Sequence, residues 1–374
     1  IRSRSYTKMP NQSVFEWTET GIMTSNYFTP QTNQQGTYTE TQGEGSRNYN
    51  PVALAYEGHY RILSEKIVPK FNINYRIAPT LRFVMDISFD VGNNKDKSFL
   101  PQTATGLDWT DINVNRAYEY DGESFMTQTY SKLFWTPNLG EKHSLQMLLG
   151  ANTESSMSES YSVNTASSAS SSLQDPTSGV IAGNTSTGFY SGVSQYRSNA
   201  VFGQVHYGAL DRYFLDATIR RDGSSKFGAN YRYGIFPSMS ARWRVSGEPF
   251  MSSFSKWLTD FSIRGSWGVN GNEPSGNYLQ YSNYKTYPYE YLGTVGTYPG
   301  NLQLSNLRWE RSTQANIAGN LSLFDGRIAV DYDYYYKSTN DLLFTNLVLP
   351  STSGFSNVSF MNVGKMDNIG WELN

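Results

Sequence analysis

Asp331 and Asp333 stand two residues apart in the segment "VDYDYYYKS". On an extended chain that spacing puts both carboxylates on one face, where one protonated and one ionised group would serve as general acid and base. Lys337 falls on the same face and would help neutralise them, so a charged wall is the better reading than a reaction centre. The three histidines, His59, His143 and His206, are far apart, and none sits in the H-E-x-x-H arrangement of a zinc hydrolase. "GVNGNEPSGN", from Gly268 to Asn277, is glycine-rich but lacks the Lys of a P-loop and leads into no helix, so it reads as a loop leaving a strand. Cysteine is absent, which excludes disulfides and thiolate metal sites. No catalytic residue, metal set or cofactor is assigned, and the expectation is a protein that is not an enzyme.

The elements that hold these residues alternate. Tyr213, Leu215, Ala217 and Ile219 interleave with Asp216, Thr218 and Arg220, and Ile235, Pro237, Met239, Ala241, Trp243 and Val245 interleave with Ser238, Ser240, Arg242 and Arg244. A period of two specifies a β-strand with one apolar and one polar face. Such runs predict about eleven strands, near 66–76, 80–91, 124–136, 143–153, 199–208, 213–221, 233–245, 260–269, 311–323, 326–337 and 358–372. Short connections at 77–79, 137–142, 208–212 and 324–326 alternate with long ones at 92–123, 154–198, 270–310 and 338–357, and 222–232 is of middling length. A further short-side connection, Glu248 to Asp260, spaces Phe250, Phe254, Trp257 and Leu258 as a short amphipathic helix packed at the rim. The Ser/Thr-rich stretch 155–195 is close to low complexity and is expected to be a mobile, solvated outer loop.

Sorting all tight turns to one end and all long loops to the other is the pattern of an all-β, antiparallel up-and-down transmembrane barrel with short periplasmic turns and long outer loops. Composition agrees. No run approaches the roughly 18 apolar residues of a spanning helix, and only 38% of the 374 residues are hydrophobic, yet aromatics reach 15%. That balance suits half-buried strands and interfacial girdles. Faces such as Phe261, Ile263, Trp267 and Val269 are expected to meet lipid, while Ser262, Arg264 and Ser266 face a hydrated or plugged lumen. A formal charge of -2 gives no bulk attraction to nucleic acid. The start, IRSRSYTKMP, lacks the features of a signal peptide. The end, NIGWELN, is still inside an alternating run, and eleven strands do not close an even-numbered barrel. The expectation is therefore a partial barrel.

The stretch "ATIRRDGSSKFGANYRYGIFPSMSARWRV" (Ala217 to Val245) resembles a segment of SusC-like TonB-dependent transporters of Gram-negative outer membranes, the SusC/RagA family. "EPFM", "IRGSWGVNGNE", "NLRWERSTQANIAGNLSLFDGRIAVDYDYYYKSTNDLL", "LPSTSGF" and "NVGKMDNIGWEL" fit the same family, so the likeness is dense over about 199–374. The resemblance implies a 22-stranded barrel, of which this chain supplies about eleven strands, with a plug domain, an N-terminal extension and the last strands lying outside 1–374. It also implies energy coupling through the TonB complex, a SusD-like surface lipoprotein as partner, and import of a glycan or peptide across the outer membrane. A passive channel or surface adhesin is the alternative.

Two sets of residues are candidates for function. The lumen-facing charges are Arg82, Asp86, Asp90, Arg220, Arg242, Arg244, Arg264, Asp331 and Asp333. They either contact a substrate or grip a plug, or they form a mutually neutralising wall, and the second reading is favoured. The outer-loop set is Asp108, Trp109, Asp111, Tyr118, Tyr120, Tyr284, Tyr287 and Tyr289. Aromatic faces beside carboxylates and amides suit sugar binding, and they suit peptides or a lid protein as well. Ordinary loop packing explains them equally.

Overall fold

The computed structural model describes residues 15–17, 23–27, 51–105, 109, 114–181, 188–355 and 357–374. Strands β1 (Phe15–Trp17) and β2 (Met23–Tyr27) pair with each other. After a helical turn at Pro51–Tyr56 come β3 (His59–Ile67), β4 (Lys70–Ala78), β5 (Leu81–Leu100), β6 (Arg116–Trp135), β7 (His143–Ala166) and β8 (Val180–Ile181). Next follow β9 (Phe189–Ala209), β10 (Tyr213–Ser224), β11 (Tyr233–Arg244), β12 (Leu258–Asn272), β13 (Tyr284–Tyr291) and β14 (Thr294–Pro299). The last are β15 (Glu310–Leu323), β16 (Ile328–Asn340), β17 (Leu343–Val348), β18 (Asn357–Asn362) and β19 (Lys365–Leu373).

The chain divides into two compact units, one of residues 1–68, 90–125 and 157–194, the other of 69–89, 126–156 and 195–374. In the second, strand order is β19-β16-β15-β12-β11-β10-β9-β7-β6-β5, with β4 on β5. Neighbours such as β10 and β11, β12 and β15, and β16 and β19 are antiparallel. In the first, β3 pairs with 91–99 of β5, and β8 with the end of β7. Its small core joins Leu54 and Ala104, with Leu100 packed against them. The core of the second unit gathers at the loop end, where buried Phe227 and Phe236 lie 4.8 and 5.4 Å from the Trp309 ring.

Each expected strand falls on an observed one. The run 66–76 overlaps both β3 and β4, and 358–372 divides into β18 and β19 around Gly364, whose φ of +82° turns the chain. The connections are sorted as the alternation predicts. Short ones at 79–80, 136–142, 210–212 and 324–327 interleave with long ones at 101–115, 167–188, 273–309 and 341–364. Leu210 and Asp211 make the β9–β10 turn with left-handed φ values of 56° and 54°.

Three expectations need correction. The Ser/Thr-rich stretch is not one loop: β7 continues to Ala166 and β9 begins at Phe189. The loop expected at 92–123 shrinks likewise, because β5 runs to Leu100 and β6 starts at Arg116. The rim helix is a 3-10 segment, Pro249–Phe254, and Leu258 already begins β12. A connection that must return at once to the neighbouring antiparallel strand takes tight i→i+3 bonds, such as Ser255 N–H to Ser252 O, in place of α-turns.

Burial along the strands is the reverse of a soluble sheet. In β10, apolar Tyr213, Leu215 and Ile219 are exposed, while Asp216, Thr218 and Arg220 are half-buried. The register carries one apolar band across neighbours: Leu215 faces Ala241, Trp243 lies opposite Ile263, and Tyr334 lies opposite Trp371, which is 67% exposed. A contiguous exposed apolar face of this kind demands a nonaqueous neighbour. Val269 departs from it and is buried, on the same face as Gly271, which lies against Phe236 and Trp309 at the loop end of β12.

Candidate functional site: the polar face of the sheet

The opposite face of the second unit is a ladder of compensated charge. Adjacent strands in register bring same-face side chains within reach, so pairs form across strands. His206 on β9 and Asp216 on β10 are Cα partners, and His206 Nδ1 lies 2.6 Å from Asp216 Oδ1. Arg242 and Arg264 are partners on β11 and β12, and each turns to a different acid. Arg242 reaches Asp260 at 3.6 Å and donates to Ser262 Oγ at 3.2 Å. Arg244 Nε donates to Asp260 at 2.9 Å. Arg264 Nη2 donates to both oxygens of Asp333 at 3.0 Å, and Asn316 adds a 3.4 Å contact. Asn320 Nδ2 donates to Asp331.

The remaining expected wall charges are also engaged. Arg220 Nε donates to both Asp222 oxygens at 2.8 Å, and its guanidinium lies 5.4 Å from the Phe202 ring centroid. Arg82 stacks 4.9 Å from the Phe134 ring, and Asp86 accepts from Asn72 Nδ2 at 2.6 Å. In the first unit, Asp90 pairs with Lys66 at 2.7 Å. Asp333 thus takes its counter-charge from Arg264, two strands away, where the sequence alone pointed to Lys337. Asp333 is held by a guanidinium and Asp331 by an amide. Among the described residues no group of three or more His, Asp or Glu is placed to hold a metal ion.

Between these pairs lies a cavity of about 500 Å³ lined by His206, Asp216, Ser240, Arg242, Arg264 and Asp333. Its wall is charged and close to neutral in sum, so it neither attracts nor repels polar material by bulk charge.

The outer-loop candidates fall in both units. Trp109 is 55% exposed, and Tyr118 and Tyr120 lie in strand β6 rather than in a loop. Tyr284 and Tyr287 stand exposed on the hairpin of β13 and β14, with Tyr287 4.7 Å from the Tyr298 ring. Asp108 and Asp111 lie outside the described residues, as does the side chain of Tyr289.

One cluster had no sequence signal. At the short-turn end, Glu248 is buried and accepts from the Tyr213 hydroxyl at 2.5 Å, Trp243 Nε1 at 3.0 Å and Arg212 Nη1 at 2.9 Å. The Tyr213 hydroxyl first, then the indole N–H and the guanidinium, hold its carboxyl below the ordinary glutamate range, against the opposing effect of burial. Only a cross-strand register brings residues 212, 213, 243 and 248 together.

An exposed apolar band, a compensated polar face and turns sorted by end define the wall of a membrane-spanning β-barrel. The chain matches the model of the family described as TonB dependent receptor-like, beta-barrel, over residues 10–374, and it belongs to that family of outer-membrane barrels. It is 31% identical over 305 residues to a TonB-dependent receptor of Formosa agariphila, covering 80% of this chain and 28% of the relative. It is 32% identical over 181 residues to the TonB-dependent receptor SusC of Bacteroides thetaiotaomicron, covering 46% of this chain and 18% of SusC. A solved structure of the RagAB peptide importer in its closed-closed state shares the fold, with a TM-score of 0.76 at 22% identity, covering 95% of this chain and 37% of that one. The chain spans about a third or less of the length of the curated relatives it matches.

Proposed function

We propose that this chain forms wall strands of a TonB-dependent, SusC-like importer of the outer membrane, with its long loops extracellular and a plug occupying the polar face. The observation that carries this reading is the pairing of an exposed apolar band with a polar face whose charges are compensated strand by strand. A wall that must let a plug move, or polar cargo pass, is served by charges that are neutral in sum yet individually able to exchange partners. Family membership supplies the coupling to TonB, and the same family supports a SusD-like lipoprotein as partner. An oligosaccharide or a peptide is the cargo. Trp109, Tyr284 and Tyr287, with Tyr118 and Tyr120, are proposed substrate contacts, together with Asp108, Asp111 and Tyr289.

The test is uptake by cells carrying the native gene, compared with a deletion and with a strain whose TonB is disabled. Energised import predicts loss of uptake in both. Uptake that persists without TonB would favour a passive channel. Peptide mapping of the native polypeptide, with whatever co-purifies, would show a plug and a surface lipoprotein, and absence of both would remove the mechanism.

A further inference from the structure

The outward, apolar face of the second unit changes character at its loop end. Cα partners share a face, so the register stacks three rows across β9, β10 and β11. Gly203, Ile219 and Pro237 form the first, Val201, Arg221 and Ile235 the second, and Asn199, Gly223 and Tyr233 the third. Val201, Ile219, Ile235 and Tyr233 are exposed members of the lipid-facing band. Arg221 stands exposed among them, its guanidinium 4.0 Å from the Tyr233 ring centroid. Arg197, two residues beyond Asn199 on β9, shares the face and is exposed too.

These arginines differ from those of the polar face. Arg220, Arg242, Arg244 and Arg264 each have a carboxylate partner. Among the described residues Arg221 has only the Tyr233 ring, and Arg197 is bonded only through its backbone, to Ser225. The outward positions, odd numbers from 197 to 209, 213 to 223 and 233 to 243, carry no Asp or Glu. Height matters as well. Tyr213 and Trp243 are Cα partners at the short-turn end. Eight residues on, at about 3.3 Å each and tilted about 40°, Arg221 lies roughly 20 Å above Tyr213, at the far border of an apolar band of about 25 Å. A cation at that border, with no acid of its own, is matched by the phosphate of a lipid headgroup. The guanidinium fork meets phosphate through two parallel N–H bonds, and tyrosine belongs at the same level.

The third row also borders a cavity of about 660 Å³, which Thr153, Arg197 and Arg232 line together with Asn199 and Tyr233. A diacyl phospholipid would use the arginines and leave these hydroxyl and amide groups unmet. A phosphorylated sugar headgroup engages both, since each ring hydroxyl donates and accepts. We propose that Arg197, Arg221 and Tyr233 bind the phosphorylated sugar headgroup of an outer-leaflet glycolipid. Its phosphate lies on the guanidinium groups, its sugar extends toward the cavity, and its acyl chains run down Val201, Ile219 and Ile235. The site is on the lipid side of the wall, away from the polar face. It rests on the import reading only for the loops being extracellular, which brings this end of the strands to the outer leaflet.

The experiment is native mass spectrometry of the intact receptor, stripped of lipid in detergent and titrated with monophosphoryl lipid A, its dephosphorylated form and phosphatidylglycerol. Monophosphoryl lipid A should bind more tightly than either of the others. Arg197→Gln and Arg221→Gln should each weaken it by about tenfold, the effect of losing one charged hydrogen-bonding partner. Arg327→Gln, in the turn at the opposite end of the strands, should leave it unchanged. If Arg221→Gln loses its heat-modifiable migration, Arg197→Gln carries the test, because the Arg197 side chain holds no ion pair or hydrogen bond among the described residues. Equal binding of the dephosphorylated lipid, equal or tighter binding of phosphatidylglycerol, or binding that ignores Arg197 and Arg221 would each overturn the proposal. A loss as large in Arg327→Gln would do so too, by showing attraction to any surface cation. Binding in detergent needs neither TonB nor an energised membrane. Uptake that persists without TonB therefore sinks the import reading and leaves the lipid site, whereas TonB-dependent uptake with lipid binding indifferent to both arginines does the reverse.

Discussion

Ile263 and Arg264 are chain neighbours on opposite faces of β12: Ile263 lies opposite Trp243 in the exposed apolar band, while Arg264 reaches across to Asp333 at 3.0 Å. Five residues from the strand start, at about 3.3 Å each and tilted about 40°, put Ile263 roughly 12 Å above the turn end, near the middle of an apolar band of about 25 Å. Ile263→Arg should therefore cost about 2–4 kcal/mol of stability in lipid. Ser266→Arg, on the polar and exposed face, should cost less than about 1 kcal/mol. Ser262 is a poor comparison despite sharing that face, being 1% exposed beneath Arg242. Reversible urea unfolding in vesicles measures the difference, and equal costs at 263 and 266 would refute the assignment of faces.

The Arg264–Asp333 pair should contribute little to folding. Its side chains are 46% and 22% exposed, so water and salt screen the attraction. A double-mutant cycle with Arg264→Gln and Asp333→Asn should give a coupling of about 1 kcal/mol or less, reduced further in 1 M salt. A coupling above about 3 kcal/mol, the range of dry ion pairs, would mean that this face is not hydrated.

Gly150 and Phe202 form a tighter contact. A Cβ on Gly150 would stand 2.2 Å from Phe202 Cζ, and Phe202 in turn lies beside the Arg220 guanidinium. Gly150→Ala should force the ring from its rotamer and cost about 1–3 kcal/mol. Adding Phe202→Leu should recover part of that loss, although each change alone destabilises. Thermal unfolding of the four proteins tests it, and strictly additive losses would show that the two residues do not meet.

The alternation made the lipid-crossing parts of the strands legible, because one face meets hydrocarbon and the other water. Farther along the strands that division is lost, and Phe99 and Ala166 are buried in place of facing outward. Ser155 to Ala166 and Asn93 to Leu100 therefore carry no period, and the pairing of β5 and β7 with their neighbours holds them as strands. The helical spacing of Phe250, Phe254 and Trp257 misled for a related reason: Phe254 and Trp257 do meet, edge to face at 5.9 Å, but around a 3-10 turn. Partners were the least legible feature. The membership of Asp331 and Asp333 in the wall follows from parity on one strand. The choice of Arg264 over Lys337 depends on the register of β12, β15 and β16, which no single strand encodes.

The Glu248 cluster gives the protein an acid limit that can be measured. Its carboxyl ionises more readily in the folded chain than in the unfolded one, because the Tyr213 hydroxyl, the Trp243 indole and the Arg212 guanidinium all favour the anion. Such a group stabilises the fold at pH above its unfolded value, about 4.3, and the contribution drains away as pH falls through the lower folded value. At pH 7, Glu248→Gln should therefore unfold at a lower temperature than the parent. The gap should narrow once the pH drops below about 4.3, as the parent loses what the variant already lacks. Thermal midpoints read from the heat-modifiable shift between pH 7 and pH 3 would show this convergence. A gap that stays constant across that interval would mean that Glu248 acts through shape alone and that its charge is unimportant to the rim.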